Sequence, residues 1–231
     1  MGALTDIFNN VLSLFLQTNC PLCQRPAKTE LCQYCQKQLE SCKFTNPGAS
    51  WQGDLPVFIW GMYGGQLKRT IAVMKYENHP ELARSLGYLT GKAWLNSPIS
   101  KYQNKLTVVP IPLHPNKQKQ RGFNQAELLA KSFCEITGLP LISQGLQRIR
   151  ETDAQFGLNA IERDKNLSEA FAINPAFKNR LINGSVLLLD DIYTTGATVR
   201  YAAKVLHQQG IKVYGIIAIA SSKQTITKPK I

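Results

Sequence analysis

The stretch "SVLLLDDIYTTGATVRYAAKVL", residues 185–206, runs apolar residues into two adjacent acids, then into Thr-Thr-Gly-Ala-Thr, then into a helical pattern. Val186, Leu187, Leu188 and Leu189 show no polar alternation, as expected of a parallel strand buried on both faces. Such a strand delivers the residues after it to the carboxyl end of its sheet, where ligands of open α/β sheets bind. The helix start beyond it supplies unpaired N–H groups and a positive dipole end. Thr194, Thr195, Gly196, Ala197 and Thr198 therefore read as a phosphate cradle. Gly196 lets the backbone approach an oxyanion, and the threonine hydroxyls donate further hydrogen bonds. Asp190 and Asp191 would repel a phosphate, so their natural targets are ribose hydroxyls or the waters around a magnesium ion.

Two rival readings are weaker. "VLLLDD" resembles the acidic strand of a P-loop ATPase, but that reading requires G-x-x-x-x-G-K-[ST] elsewhere. "GYLTGKA", residues 87–93, has the wrong glycine spacing and places Ala93 where Ser or Thr should stand. The plainer alternative, that the two aspartates only cap a turn, leaves the threonine loop unexplained.

Around this stretch, strand and helix patterns alternate from Val57 onward. "VFIWGMY" reads as a strand, and "GQLKRTIAVMKYENHPELARSLGYLTGKAWL" as a helical segment. "LTVVPIP" is a strand closed by prolines, "NQAELLAKSFCEITG" a helix ending at Gly138, and "KVYGIIAIAS" a last strand. This rhythm argues for an α/β fold with a largely parallel sheet covered on both faces. The polar segment from Arg148 to Ala176 breaks the rhythm and reads as a loop or hood over one sheet end. The chain divides into residues 1–45, carrying an N-terminal helix and a cysteine module, and residues 46–231. The turn-rich "KFTNPGASWQGDLP" marks the boundary.

Lys and Arg outnumber Asp and Glu 27 to 15 over 231 residues, a net charge of +12 that favours polyanionic partners. The excess concentrates between Gly65 and Gln125, where ten basic residues face only Glu77 and Glu81. Lys68, Arg69 and Lys75 are candidates for a DNA-binding face, with Trp51, Trp60, Tyr63 and Tyr76 as aromatics able to stack bases. A solubilising surface, with the aromatics in the core, is the ordinary alternative. No apolar run approaches the ~20 residues of a membrane span. The start lacks a basic region and a cleavage site, so stable membrane insertion is not expected and the cytoplasm is the default address. Leu4, Ile7, Phe8, Val11, Leu12 and Phe15 fall at helical spacing, as in one amphipathic helix docked on the chain's own core.

"CPLCQRPAKTELCQYC" sets Cys20, Cys23, Cys32 and Cys35 in two C-x-x-C knuckles, a spacing suited to a tetrahedral structural zinc site. Disulfides would need an oxidising compartment that nothing in the sequence suggests. Cys42 is extra to the quartet, and Cys134 reads as a buried apolar residue.

The segment 186–198 resembles the phosphoribosyl pyrophosphate (PRPP) signature of type I phosphoribosyltransferases over thirteen consecutive positions. "VVPIPLHPNKQKQRGFNQAELLA" adds Lys117, Lys119 and Arg121 on a stretch that reads as a mobile glycine-containing loop, suited to a pyrophosphate. "RIRETDAQFGLNAIERDKNLSEAF" adds Arg148, Arg150, Thr152, Gln155 and Arg163 as a polar hood. With the double C-x-x-C ahead of them, these motifs resemble the ComF family in order and over nearly the whole chain. The resemblance implies a type I phosphoribosyltransferase fold with Asp190 and Asp191 on ribose and Thr194 to Thr198 on the 5′-phosphate. It also implies PRPP bound with Mg²⁺, and work on transforming DNA alongside single-stranded DNA and other competence proteins such as a helicase. A catalytic phosphoribosyltransferase acting on an unidentified nucleophile and a PRPP-sensing regulator are the other two readings. No base-specificity element is recognisable.

Overall fold

The computed structural model describes residues 18–102, 105–150, 170–177, 179–180 and 184–223. The helix expected from Leu4 to Phe15 and the tail beyond Lys223 lie outside the described residues.

Four strands form one parallel sheet in the order β3-β8-β7-β4, where β3 is Val57–Met62, β4 Leu106–Pro110, β7 Ser185–Tyr193 and β8 Lys212–Ser221. The apolar runs that looked featureless in sequence divide by pleat between two cores. Leu187 and Leu189 join Phe58, Trp60, Val108, Ile217 and Ile219 on one face. Val186 and Leu188 join Val57, Ile59, Val109, Ile216 and Ala218 on the other. Burial on both sides explains why no strand alternates between apolar and polar residues.

Helices α2 (Gly65–Tyr76), α3 (Leu82–Leu95) and α5 (Gln125–Thr137) cover the first face through Leu67, Met74, Leu86, Trp94, Leu129 and Phe133. Helix α6 (Ala197–Gln208) covers the second through Val199, Ala202 and Leu206. An antiparallel pair, β5 (Leu146–Arg148) and β6 (Phe171–Ile173), packs Leu146 and Phe171 beside it.

The helical segment 65–95 is two helices, not one. Asn78 takes a left-handed φ of 57°, a conformation that asparagine tolerates, and Pro80 cannot donate to a continuing helix. The glycines of "GYLTGKA" find their reason here. A Cβ at Gly87 would lie 2.5 Å from the carbonyl of Leu129, so bare backbone lets α3 and α5 approach closely.

The cysteine module is built from β1 (Thr18–Asn19), β2 (Pro26–Ala27) and α1 (Gln33–Glu40). Its Leu22, Leu31 and Leu39 are buried in the same core as Trp60, Leu67 and Met74. Among the described residues, no helix is long and apolar enough to cross a membrane.

Candidate ligand site and cysteine cluster

Strand β7 carries Asp190 and Asp191 to the carboxyl end of the sheet, on opposite sides of the pleat. The backbone N–H of Asp191 donates to Asp190 Oδ1 at 2.8 Å, and that of Ile192 donates to Asp191 Oδ1 at 2.8 Å. Asp191 is buried, and its Oδ2 pairs with the Nζ of Lys75 near the end of α2. Burial, reinforced by the neighbouring Asp191 carboxylate, pushes the Asp190 carboxyl well above the usual range.

The chain then turns through Thr194, Thr195 and Gly196 into α6, whose first residue is Ala197 and second Thr198. Thr194 and Thr195 are exposed, while Ala197 and Thr198 are partly so. Gly196 has φ 74°, and a Cβ there would fall 2.1 Å from the Tyr193 hydroxyl oxygen. Only glycine fits. Arg200, one turn into α6, donates to the Thr195 carbonyl at 2.6 Å and braces the loop from its rim. Sequence reasoning missed Arg200; its position four residues after the glycine was the available signal.

The segment bearing Lys117, Lys119 and Arg121 is not a loop but a short helix, α4 (Pro115–Arg121). Pro115 occupies its first turn, the His114 side chain caps the N–H of Asn116, and Gly122 closes it at φ 85°. Asn124 fixes the entry into α5. Its side chain caps that helix at the N–H of Ala126 and donates to the Ile111 carbonyl at 3.1 Å, just beyond β4. Ile111 in turn donates its N–H to the Leu189 carbonyl at 2.9 Å, tying this corner to the acid-bearing strand. Arg121 bonds Gln125 and lies 5.5 Å from the centroid of the Tyr76 ring, beside Lys75 in sequence. The structure thus brings together the acid pair, Lys75 and the C-terminal end of α4.

Of the hood residues, Arg148 ends β5 and stacks 5.5 Å over Phe171, and Arg150 comes two residues later. Thr152, Gln155 and Arg163 lie outside the described residues. Lys68 and Arg69 are exposed on α2, but Lys75, expected on the same face, turns inward. Its ammonium meets a buried carboxylate, so it does not belong to that surface. Trp60 is core, and Trp51 packs edge-on against Trp94 at 5.3 Å. Tyr63 is partly buried against the same core, and Tyr76 is 74% exposed. Of the four aromatics, Tyr76 alone projects well into solvent.

The Sγ atoms of Cys20, Cys23, Cys32 and Cys35 all lie within 4.8 Å of one another. Cys23 and Cys32 approach to 3.5 Å, near the ~3.8 Å edge of a tetrahedron with Zn–S bonds of about 2.3 Å. The first knuckle is a tight turn in which Cys23 and Gln24 both donate to the Cys20 carbonyl, with Gln24 left-handed at φ 62°. In the second, Cys32 sits at the N-cap of α1 and Cys35 in its first turn. There the backbone N–H of Cys35 lowers the Cys32 thiol to about 7, while burial raises that of Cys35. Cys42 stands apart, its thiol directed at the Gln38 carbonyl. Cys134 is buried in α5, and burial pushes its thiol up to about 12.

No family model matches the chain. Competence protein F of Haemophilus influenzae is 31% identical over 215 residues, covering 82% of this chain and 91% of its own. The chain belongs to the ComF family. Competence protein ComFC of Bacillus subtilis is 29% identical over 195 residues, covering 83% of this chain and 72% of its own. DNA utilization protein YhgH of Escherichia coli K12 is 27% identical over 199 residues, with 83% and 85% covered. Among solved structures, adenine phosphoribosyl transferase from Trypanosoma brucei aligns at 13% identity with a TM-score of 0.39. That alignment covers 83% of this chain and 81% of the other. This ComF protein has an α/β fold with a parallel four-stranded sheet and an N-terminal four-cysteine cluster.

Proposed function

We propose that this ComF protein binds PRPP at the carboxyl end of its sheet and acts on single-stranded DNA in competence or DNA utilization. The observation that carries the PRPP reading is the run from Asp190 to Thr198, with two acids on a strand end and a glycine-requiring turn into a helix N-terminus. The turn offers N–H groups and hydroxyls to a 5′-phosphate, and the acids offer acceptors to ribose hydroxyls. The carboxylate oxygens of Asp190 and Asp191 suit a hard divalent ion such as Mg²⁺, which would neutralise pyrophosphate charge. The four-cysteine cluster fits structural zinc, since all four positions are filled by thiols and none is left for substrate.

PRPP with Mg²⁺ raises the melting temperature in this reading, because it binds only the folded state. Asp190→Asn combined with Asp191→Asn is expected to remove most of that shift while the apo melting curve stays cooperative. An unaltered ligand response in the double variant would defeat the assignment. Offering nucleobases alongside PRPP and measuring released pyrophosphate separates an enzyme from a binder.

The DNA face rests on Lys68 and Arg69, exposed side by side on α2. Replacing both with alanine should weaken single-stranded DNA binding for every sequence alike. The slope of log affinity against log salt should fall by about 1.4, at roughly 0.7 for each phosphate no longer neutralised. Equal binding by parent and variant at all salt concentrations would make these residues plain solubilising surface.

A further inference from the structure

The Lys75–Asp191 pair has no place in the PRPP reading, which assigns Asp191 to the ligand. Lys75 lies near the C-terminal end of α2, and its side chain is only 12% exposed, that of Asp191 7%. A lysine gives up much hydration to sit there, and the carboxylate it meets is the one the ligand needs. Among the described residues, no hydrogen bond reaches Asp191 Oδ2; the ammonium alone satisfies it. Next along α2, Tyr76 projects to solvent and meets Arg121 of α4, so a further cation stands close to the same helix end. Lys75 thus has a buried carboxylate as its partner and, next to it in the chain, the tyrosine that Arg121 of α4 covers.

We propose that Lys75 is a resident counter-ion that keeps divalent cations off Asp191 until a pyrophosphate-bearing ligand draws its ammonium away. This inference rests on the PRPP reading of the site. In the unliganded protein Lys75 neutralises Asp191, so a free divalent ion must displace a tethered ammonium and binds weakly. A pyrophosphate arriving at α4 gives that ammonium a more highly charged partner, and the carboxylate is freed in the same event. Binding of the metal thus becomes conditional on the group that the metal neutralises. A ligand that carries only a single phosphate leaves Lys75 on Asp191 and recruits no metal there.

The test compares the parent with Lys75→Met, Lys75→Gln and Lys75→Arg by calorimetry and by the spin-resonance signal of free Mn²⁺. Without other ligand, Mn²⁺ should bind the two neutral variants about tenfold more tightly than the parent, and Lys75→Arg like the parent. Inorganic pyrophosphate with Mg²⁺ should bind the neutral variants at least about tenfold more weakly. Ribose 5-phosphate should bind all four proteins within about twofold, since its phosphate meets the threonine loop. Unchanged Mn²⁺ affinity in the neutral variants overturns the proposal, as does a parallel loss of all three ligands, which would mark a purely structural lysine. Should Lys75→Met fail to fold, Lys75→Gln and Lys75→Arg decide alone. Failure of the parent itself to bind ribose 5-phosphate or PRPP defeats the underlying reading, whereas the Mn²⁺ comparison needs only the acid pair.

Discussion

Gly196→Val should weaken ribose 5-phosphate binding by about a hundredfold, roughly 2.7 kcal/mol, while leaving a folded protein. Two effects act together at this position. A β-branched residue is forced to the left-handed φ of 74°, and its Cβ would fall within 2.1 Å of the Tyr193 hydroxyl oxygen. The turn must open, and the N–H groups that converge on a phosphate then diverge. The strain is local and about 1–3 kcal/mol, small enough for a chain with two buried cores to absorb. Thr194→Ala, which removes one exposed hydroxyl and no backbone geometry, should be much milder. Calorimetry with ribose 5-phosphate checks both, and affinity within about threefold of the parent for Gly196→Val would exclude this turn as the phosphate site.

Loss of the metal is expected to cost about as much, but in stability. Protein purified without chelator should carry about one zinc per chain, and Cys35→Ser should reduce that content and lower the melting temperature by about 10 °C. The module is too short to hold a core alone. Its Leu22, Leu31 and Leu39 pack into the same core as Trp60 and Met74, so unfastened knuckles expose the shared interior rather than a detachable appendage. Elemental analysis and a melting curve suffice. Metal-free parent protein, or Cys35→Ser melting with the parent, would remove zinc from the account.

How much of the molecule is legible in its sequence depends on the range of the interactions. Residues 185–206 and the paired knuckles can be read directly because strand, turn, helix start and thiol spacing are local patterns. The two-core division of the strands is legible as well, in the absence of any polar alternation. The Lys75–Asp191 contact is not, since it joins positions far apart along the chain and a lysine amid "MKYEN" looks like any surface cation. The short helix α4 did announce itself. Pro115 and Gly122 are a start and a stop, and the density of lysine and arginine between them suggested a loop instead. The break at Asn78–Pro80 had the same kind of warning.

The strand order also sets a schedule. β3 and β4, made first, are the two edges of the sheet, and they have no strand to pair with until β7 and β8 arrive between them. Val57 finds its partner in Ile216, and Val109 in Leu188. On a ribosome moving at about 10 residues per second, β3 and β4 wait several seconds for their parallel partners, held only by backbone bonds to residues 42–50 and 140–142. Nascent chains should therefore be clients of holding factors until the last strand clears the exit tunnel. Nor can the acid-bearing strand be assembled early and refined later: it enters the middle of the sheet and completes the candidate site and the core in one cooperative closure.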